Sequence, residues 1–241
     1  MTKQVIFFDA AGTLFHVKGS VGNIYLQYAE SYGLPNTPEN LEKVNKAFSE
    51  SFKAAPPPLF AVEHPEKLKQ CERLWWFDIV HGVFYRTGMI EKFDDYFEEV
   101  FEVFGTAEPW EVYPEVFQAL DSLRKQGLEL GVISNFDTRF YQIFRALGLE
   151  GYFDSITISS IARSVKPTGD IFHYALTQHV ADPQDAVHVG DSIREDVEGA
   201  ERAGITGIWV NREREALPNG AVHPQREVQS LEEVGGLLDQ L

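Results

Sequence analysis

The sequence has little cysteine and no long hydrophobic run. A single cysteine, Cys71, stands among 241 residues, which excludes an internal disulfide framework and a cysteine-cluster metal site. No apolar run approaches the roughly 18–20 residues that a membrane-spanning helix needs, and the first ten residues lack the apolar core of a secretory signal. These absences predict a protein of the reducing cytoplasm that does not enter a membrane.

Positive charge is also scarce. The chain has 21 Lys and Arg residues against 37 Asp and Glu residues, which gives a net charge of −16. A surface of this sign repels DNA, RNA and anionic membranes, so none of them is an expected partner. A local cation or lysine inside a cleft can still admit a small anionic molecule. The length suits one domain with a sizeable insertion, and the oligomeric state is left open between monomer and homodimer.

Residues 17–104 carry aromatic side chains at helical spacing and few β-branched runs. Thr37-Pro38 is typical of a helix start. Pro56-Pro57-Pro58 ends that helix, because proline cannot donate a backbone hydrogen bond. Apolar stripes over residues 68–83 and 93–104 predict two further helices. We therefore expect a helical domain in this part of the chain.

The rest of the chain alternates strands and helices. The apolar run at residues 4–8 (QVIFF) predicts a buried strand. From Pro114 onward, strands alternate with helices, which predicts a parallel sheet covered on both faces. The predicted fold class is therefore α/β, with a Rossmann-like core of residues 1–16 and 106–241 and an inserted helical domain of residues 17–105.

Polar side chains follow the predicted strands at their carboxyl ends, where ligands bind in a sheet of this type. A carboxylate, a hydroxyl group, a lysine and an acidic pair should therefore meet at one edge of the sheet. Four segments carry them: 9–13 (DAAGT), Ser134-Asn135, Lys166-Pro167 and 190–196 (GDSIRED).

This set of motifs, in this order, resembles the haloacid dehalogenase-like hydrolase superfamily. The resemblance extends over essentially the whole chain, and the helical insert resembles the cap domain of subfamily I. Within the superfamily, Trp75-Trp76, Val132–Asp137 and His188–Asp191 resemble the branch that includes haloacid dehalogenase-like hydrolase domain-containing protein 3. The resemblance implies a hydrolase and leaves its substrate open.

The resemblance also implies a role for each matched residue. Asp9 would attack the substrate and form a covalent aspartyl intermediate. Thr13 and Ser134, with Asn135 beside it, would donate hydrogen bonds to the transferred group, and Lys166 would neutralise its developing charge. The substrate would be a small phosphorylated molecule. A Mg²⁺ ion, which prefers oxygen ligands, would be held by Asp9, the backbone carbonyl of Ala11, Asp191 and Asp196, the last either as a ligand or as a partner of one.

Ala11 departs from the phosphatases of the superfamily, which carry an aspartate two residues after the nucleophile. That aspartate protonates the leaving group and then activates water, and such general acid–base catalysis is typically worth about 10²–10⁴ in rate. A Mg²⁺-dependent phosphatase remains the preferred hypothesis because Asp191 and Asp196 are retained, and Asp137 or a residue of the insert could supply the proton. Two alternatives stay open: a hydrolase of C–P or C–halogen bonds, and a catalytically weak protein that binds a phosphorylated ligand or a partner.

Three other features receive a structural interpretation. His188 lies on a predicted buried strand, where packing is its expected role. The charge run at residues 212–215 is expected to form a solvated loop. The Trp75-Trp76 pair is expected in the core of the helical insert.

Overall fold

Six parallel strands form the main sheet of the computed structural model, which describes residues 5–217, 220 and 222–238. In chain order the strands are β1 (Val5–Phe8), β2 (Phe15–Val17), β3 (Trp110–Val112), β4 (Glu129–Ser134), β5 (Ser155–Ile158), β6 (Ala186–Gly190), β7 (Thr206–Val210) and β8 (Glu227–Val228). The order across the main sheet is β5-β4-β1-β6-β7-β8, while β2 and β3 form a separate pair. The α/β class with a parallel sheet is confirmed; Gln4 of the predicted first strand lies outside the described residues.

The register of the sheet brings the predicted motifs to one edge. Phe8, the last residue of β1, is paired with Val132 on β4 and with Val189 on β6. All three strands run in the same direction, so the residues that follow them emerge side by side. These strands are mainly apolar, and all their residues except Glu129 at the start of β4 are buried, as expected for a sheet covered by helices on both faces.

Helices flank the sheet in the first of two compact units, which comprises the described residues of 1–16, 112–137 and 148–241. A buried cluster that includes Phe7, Ile171 and Phe172 forms part of its core. Its helices are α5 (Val116–Lys125), α7 (Ser159–Ala162), α8 (Gly169–Thr177), α9 (Glu198–Arg202) and α10 (Val234–Leu238), with a π-helical turn at Ile193–Val197.

The second unit is helical and comprises residues 17–111 and 138–147. Thr37 caps the helix Pro38–Ala54 of this unit. The Thr37 side chain accepts a hydrogen bond from the N–H of Asn40, and Pro38 takes the first helical position. Trp76 is partly buried and packs against the buried aromatic core of this unit, as expected, whereas Trp75 is partly buried outside that cluster and donates from its indole nitrogen to the carbonyl of Pro56 at 2.8 Å. The helices are α1 (Val21–Ala29), α2 (Pro38–Ala54), α3 (Pro65–Thr87), α4 (Phe93–Val103) and α6 (Phe140–Ala146).

The second unit is larger than the predicted insert of residues 17–105. The segment 138–147 packs with it because Thr138 donates two hydrogen bonds to the buried carboxylate of Glu72 on α3, at 3.0 Å from its backbone N and 2.5 Å from its hydroxyl. The division at residues 17 and 105 stays a prediction about domain organisation. Across the described residues, no helix has the length and apolarity needed to cross a bilayer.

Candidate active site

Asp9 and Lys166 form the buried centre of the site. Asp9 is the first residue beyond β1, and its backbone N–H donates to the carbonyl of Val189 on β6 at 2.9 Å. Lys166 lies in the loop between α7 and α8 and is only 3% exposed. Its Nζ donates to Asp9 Oδ1 at 2.6 Å and to Asp196 Oδ1 at 2.5 Å. Burial lowers the pKa of Lys166, but Asp196 and Asp9 raise it by more, so the ammonium group stays charged.

Asp196 is the second carboxylate that binds the Lys166 ammonium group. Its Oδ1 also accepts a hydrogen bond from His188 Nε2 at 3.0 Å, and its Oδ2 accepts one from the backbone N–H of Ser192 at 2.9 Å. Gly190 leaves room for this carboxylate, since a Cβ atom at that position would lie 2.2 Å from the Asp196 carboxyl carbon. Burial raises the pKa of Asp196, but Lys166 and His188 lower it to below its ordinary value. Asp196 is therefore a charged group with protein donors on both oxygens.

Asp191 brings a third carboxylate to the site. Its Oδ1 accepts a hydrogen bond from the Thr13 hydroxyl at 3.3 Å. The same carboxylate lies against Gly12, which has a φ of +93°, and a Cβ there would approach Asp191 Oδ2 to 2.5 Å. Asp191 as a residue is exposed, but its carboxyl group is covered in part by this turn. Burial of the carboxyl group raises the pKa of Asp191 to about 7, and the negative charges of Asp9 and Asp196 contribute to the shift. The turn after β1 therefore needs glycine for both its conformation and its contact.

The three carboxylates carry more negative charge than one lysine balances. Asp9, Asp191 and Asp196 each offer an oxygen atom, and these atoms all lie within 4.8 Å of one another. Burial raises the pKa of Asp9 even though Lys166 opposes this shift. An all-oxygen donor set with excess negative charge is what Mg²⁺ prefers, so these residues fit the implied metal. Ala11 lies exposed in the same turn, and its methyl group cannot donate a proton.

Ser134 and Asn135 occupy the end of the neighbouring strand. Ser134 is the last residue of β4 and is buried. Asn135 binds the backbone of Lys166 in both directions: its Oδ1 accepts from the Lys166 N–H at 2.8 Å, and its Nδ2 donates to the Lys166 carbonyl at 3.0 Å. The same Nδ2 donates to Glu195 Oε2 at 3.1 Å. Asn135 thus holds the lysine loop in place.

Sequence reasoning missed three residues that contact this site. His188 was expected only to pack, and it also bonds to Asp196. Arg212 was expected in a solvated loop, yet its side chain is 14% exposed and donates to the backbone carbonyl of Thr13; residues 213–215 of that run are exposed as expected. Trp209, on β7, donates from its indole Nε1 to the Asp191 carbonyl at 2.9 Å. For Trp209 and Arg212 the available signal was their position at or just beyond the carboxyl end of β7, whereas His188 lies in the middle of β6.

The motifs that meet at this edge agree with the comparisons with known proteins. A family model described as haloacid dehalogenase-like hydrolase matches residues 3–204 of the chain. The chain belongs to the haloacid dehalogenase-like hydrolase family. The family, the α/β fold and the hydrolase class predicted from the sequence are thereby confirmed.

This haloacid dehalogenase-like hydrolase is similar in sequence to two named relatives and in fold to a solved structure. It is 32% identical to haloacid dehalogenase-like hydrolase domain-containing protein 3 of Xenopus laevis over 215 residues, which are 88% of this chain and 85% of that protein. It is 33% identical over 101 residues to a glyceraldehyde 3-phosphate phosphatase of Methanopyrus kandleri, covering 42% of this chain and 43% of the phosphatase. The crystal structure of an L-2-haloacid dehalogenase shares its fold, with a TM-score of 0.74 at 18% identity over 99% of this chain and 100% of that one.

Proposed function

We propose that this hydrolase is a Mg²⁺-dependent phosphatase that acts on a small phosphorylated molecule through a covalent intermediate on Asp9. The observation that carries the proposal is the position of Lys166, which contacts Asp9 and Asp196 beside the third carboxylate of Asp191. In this arrangement the proposed nucleophile is a buried carboxylate, and it lies next to a fixed positive charge and to the carboxylates that would hold a divalent cation. The 33% identity over 101 residues to a glyceraldehyde 3-phosphate phosphatase of Methanopyrus kandleri supports phosphoryl chemistry.

The proposed reaction has two displacement steps at phosphorus, and different residues act in them. A carboxylate oxygen of Asp9 would form a bond to phosphorus while the bond from phosphorus to the leaving-group oxygen breaks. Water would then attack the aspartyl phosphate, which releases inorganic phosphate and restores Asp9. Lys166 would stabilise negative charge on the transferred group, and the hydroxyl groups of Thr13 and Ser134 would donate hydrogen bonds to it. When bound, Mg²⁺ would neutralise further phosphate charge.

We assign Asp9, Asp191 and the backbone carbonyl of Ala11 as the proposed metal ligands. Asp196 was predicted as a ligand or as a partner of one, and its hydrogen bonds support the second role. Both of its oxygens accept hydrogen bonds from protein donors, and one of them holds the Lys166 ammonium. We therefore propose that Asp196 orients Lys166, as outer carboxylates commonly do at metal sites.

Ala11 restricts the leaving groups that the enzyme can expel without help. A good leaving group such as p-nitrophenolate needs little protonation, whereas an alkoxide needs a general acid. Asp137, buried at the end of the loop after β4, is the candidate acid of this unit. Ala11 is also the specific observation that favours a second candidate function, cleavage of a C–P or C–halogen bond, and a third, binding of a phosphorylated ligand with little turnover.

The deciding experiment measures phosphate release from p-nitrophenyl phosphate and a panel of phosphorylated metabolites, with and without Mg²⁺. Wild type is compared with Asp9→Asn and with Asp182→Asn, an exposed aspartate outside the site. Release that needs Mg²⁺, disappears in Asp9→Asn and persists in Asp182→Asn supports the proposal. Release that continues in Asp9→Asn contradicts the mechanism. If wild type releases nothing, halide release and ligand-binding assays test the two alternatives.

The remaining predictions about this enzyme stay proposals. We propose that residues 17–105 supply substrate specificity, as the cap domains of related hydrolases are expected to do. We also propose a cytoplasmic protein, monomeric or homodimeric, without nucleic acid or membrane partners. Fractionation and light scattering test these assignments independently of activity.

A further inference from the structure

Arg212 anchors the turn that follows β1. Its Nη2 donates to the backbone carbonyl of Thr13 at 2.8 Å. That turn contains Gly12, against which the Asp191 carboxylate lies, and begins immediately after Asp9. The carbonyl of Thr13 is thus held from outside the turn by a side chain more than 190 residues later in the sequence.

Two further contacts hold the Arg212 guanidinium in position. Its Nη1 forms an ion pair with Glu115, whose side chain is 15% exposed. Its central carbon lies 3.7 Å from the centre of the Tyr113 ring, a cation–π arrangement. The backbone N–H of Tyr113 in turn donates to the carbonyl of Leu14 at 3.1 Å. The segment that carries Tyr113 and Glu115 is therefore attached to the same turn as Arg212.

The strand that leads to Arg212 also holds the other side of the carboxylate cluster. Trp209 donates to the backbone carbonyl of Asp191 at 2.9 Å. The intervening Asn211 is fixed by its backbone N–H, which donates to Val228 on β8 at 2.8 Å. One short segment, 209–212, therefore reaches backbone carbonyls in both loops that carry proposed metal ligands.

A contribution to the stability of the fold does not by itself explain why an arginine stands at position 212. Its Nε is buried and has no hydrogen-bond partner among the described residues, which is unfavourable for a buried donor. An apolar side chain of similar length would avoid this cost, but it could not bind the Thr13 carbonyl.

We propose that Arg212 is a positioning residue that fixes the turn of residues 10–14, so that Asp9 and Asp191 stand at the separation a divalent cation requires. The role rests on the metal site of the proposed function, although it does not depend on turnover. Outer partners of metal ligands typically change metal affinity or activity by about 10–100-fold when they are replaced. Arg212 would act through the backbone of the turn, without touching substrate.

The test compares Arg212→Met, Arg212→Lys and Glu115→Gln with wild type. Arg214→Met is the matched control, because Arg214 lies in the same loop and bonds to Gln229 instead. Two readouts do not need catalysis: Mn²⁺ affinity by electron paramagnetic resonance, and hydrogen exchange of the amides of residues 10–15. In Arg212→Met we expect Mn²⁺ affinity about tenfold lower or more and faster exchange confined to that turn. Arg212→Lys should recover part of both, and Arg214→Met should match wild type.

The outcomes separate this inference from the proposed function. Mn²⁺ affinity and local exchange within twofold of wild type in Arg212→Met would overturn the inference, even if the enzyme is a phosphatase. Uniformly faster exchange with unchanged Mn²⁺ affinity would assign Arg212 a merely structural role and overturn it too. If Arg212→Met fails to fold, Glu115→Gln decides by the same two readouts. Mn²⁺ binding by wild type without phosphate release refutes only the proposed function, whereas no Mn²⁺ binding refutes the metal site in both.

Discussion

His188 connects the packing of the sheet to the charges of the site. Its ring meets Phe172 edge-on at a centroid distance of 5.1 Å, and its Nε2 bonds to Asp196. Its Nδ1 has no hydrogen-bond partner within the described part of the chain. Burial lowers the pKa of His188, so a neutral ring with its proton on Nε2 satisfies these contacts.

This neutral histidine should make the enzyme less stable in mild acid. Above the unfolded pKa of about 6.5 the ring is neutral in both states; below it the unfolded chain takes up a proton that the folded chain excludes. We expect urea unfolding to show a larger loss of stability between pH 7.5 and 5.5 for wild type than for His188→Asn. The exposed His173→Asn should behave as wild type, and parallel pH profiles for all three proteins would contradict the argument.

Lys166 should be more important for stability than a lysine usually is. Replacing it by methionine leaves Asp9 and Asp196 buried without their cation, and breaking a buried ion pair in this way costs about 3–5 kcal/mol. We expect a loss of that order in the free energy of unfolding of Lys166→Met, measured by urea titration, together with loss of activity. Lys125→Met, at an exposed helix end, should change stability by less than about 1 kcal/mol. Equal stabilities of the two variants would exclude the proposed charge balance.

At the scale of elements, a tyrosine hydroxyl ties α4 to α1 in the helical unit. The buried Tyr96 donates to the backbone carbonyl of Tyr25 at 3.0 Å. Burial raises the pKa of both tyrosines above the ordinary value of 10. The helical unit therefore requires both phenols to remain neutral.

Alkaline solution should destabilise this unit for that reason. Stability is present below pH 10 and is lost as the pH rises, because the unfolded tyrosines ionise while the folded ones cannot. Tyr96→Phe should be about 0.5–1.5 kcal/mol less stable than wild type at pH 8 through the lost hydrogen bond. The difference should narrow as the pH rises above 10. Tyr174→Phe, at an exposed position on α8, is the control, and a gap that widens with pH would disprove this account.

The elements also show what the sequence could and could not predict. The apolar runs of β1, β4 and β6 were predictable because buried parallel strands are continuously hydrophobic. The two residues of β8 carry no such pattern, and their pairing with β7 depends on tertiary contacts. Arg212 was assigned to solvent because its neighbours are charged; its burial depends on Tyr113 and Glu115, about 100 residues away.

At the scale of the whole molecule, the carboxylates of Asp9, Asp191 and Asp196 repel one another. A bound cation would reduce this repulsion. The net charge of −16 adds a long-range field of the same sign, which favours cations near the site. The motifs predicted which residues meet there, since Asp9, Asn135 and Asp191 directly follow strands of one sheet, while the resemblance to the family supplied Lys166 in the loop between α7 and α8. They could not predict how the hydrogen bonds are shared, for example that Asn135 binds the backbone of Lys166.

Mg²⁺ should therefore raise the stability of the whole chain. A ligand that binds only the folded state at 100 times its Kd stabilises it by about 2.7 kcal/mol. We expect calorimetry to show a rise in Tm with Mg²⁺ concentration in wild type and little or no rise in Asp191→Asn. Asp182→Asn should respond as wild type does. An equal rise in all three proteins would point to unspecific cation binding and contradict the assignment of the site.

The central place of β1 in the sheet has a consequence for synthesis on the ribosome. Both neighbours of β1, the strands β4 and β6, are encoded more than 100 residues after it. At about 5–20 residues per second, β1 leaves the exit tunnel on the order of ten seconds before its first partner. During that interval the four apolar residues VIFF present two unpaired edges, the kind of segment that chaperones protect and that aggregates when exposed.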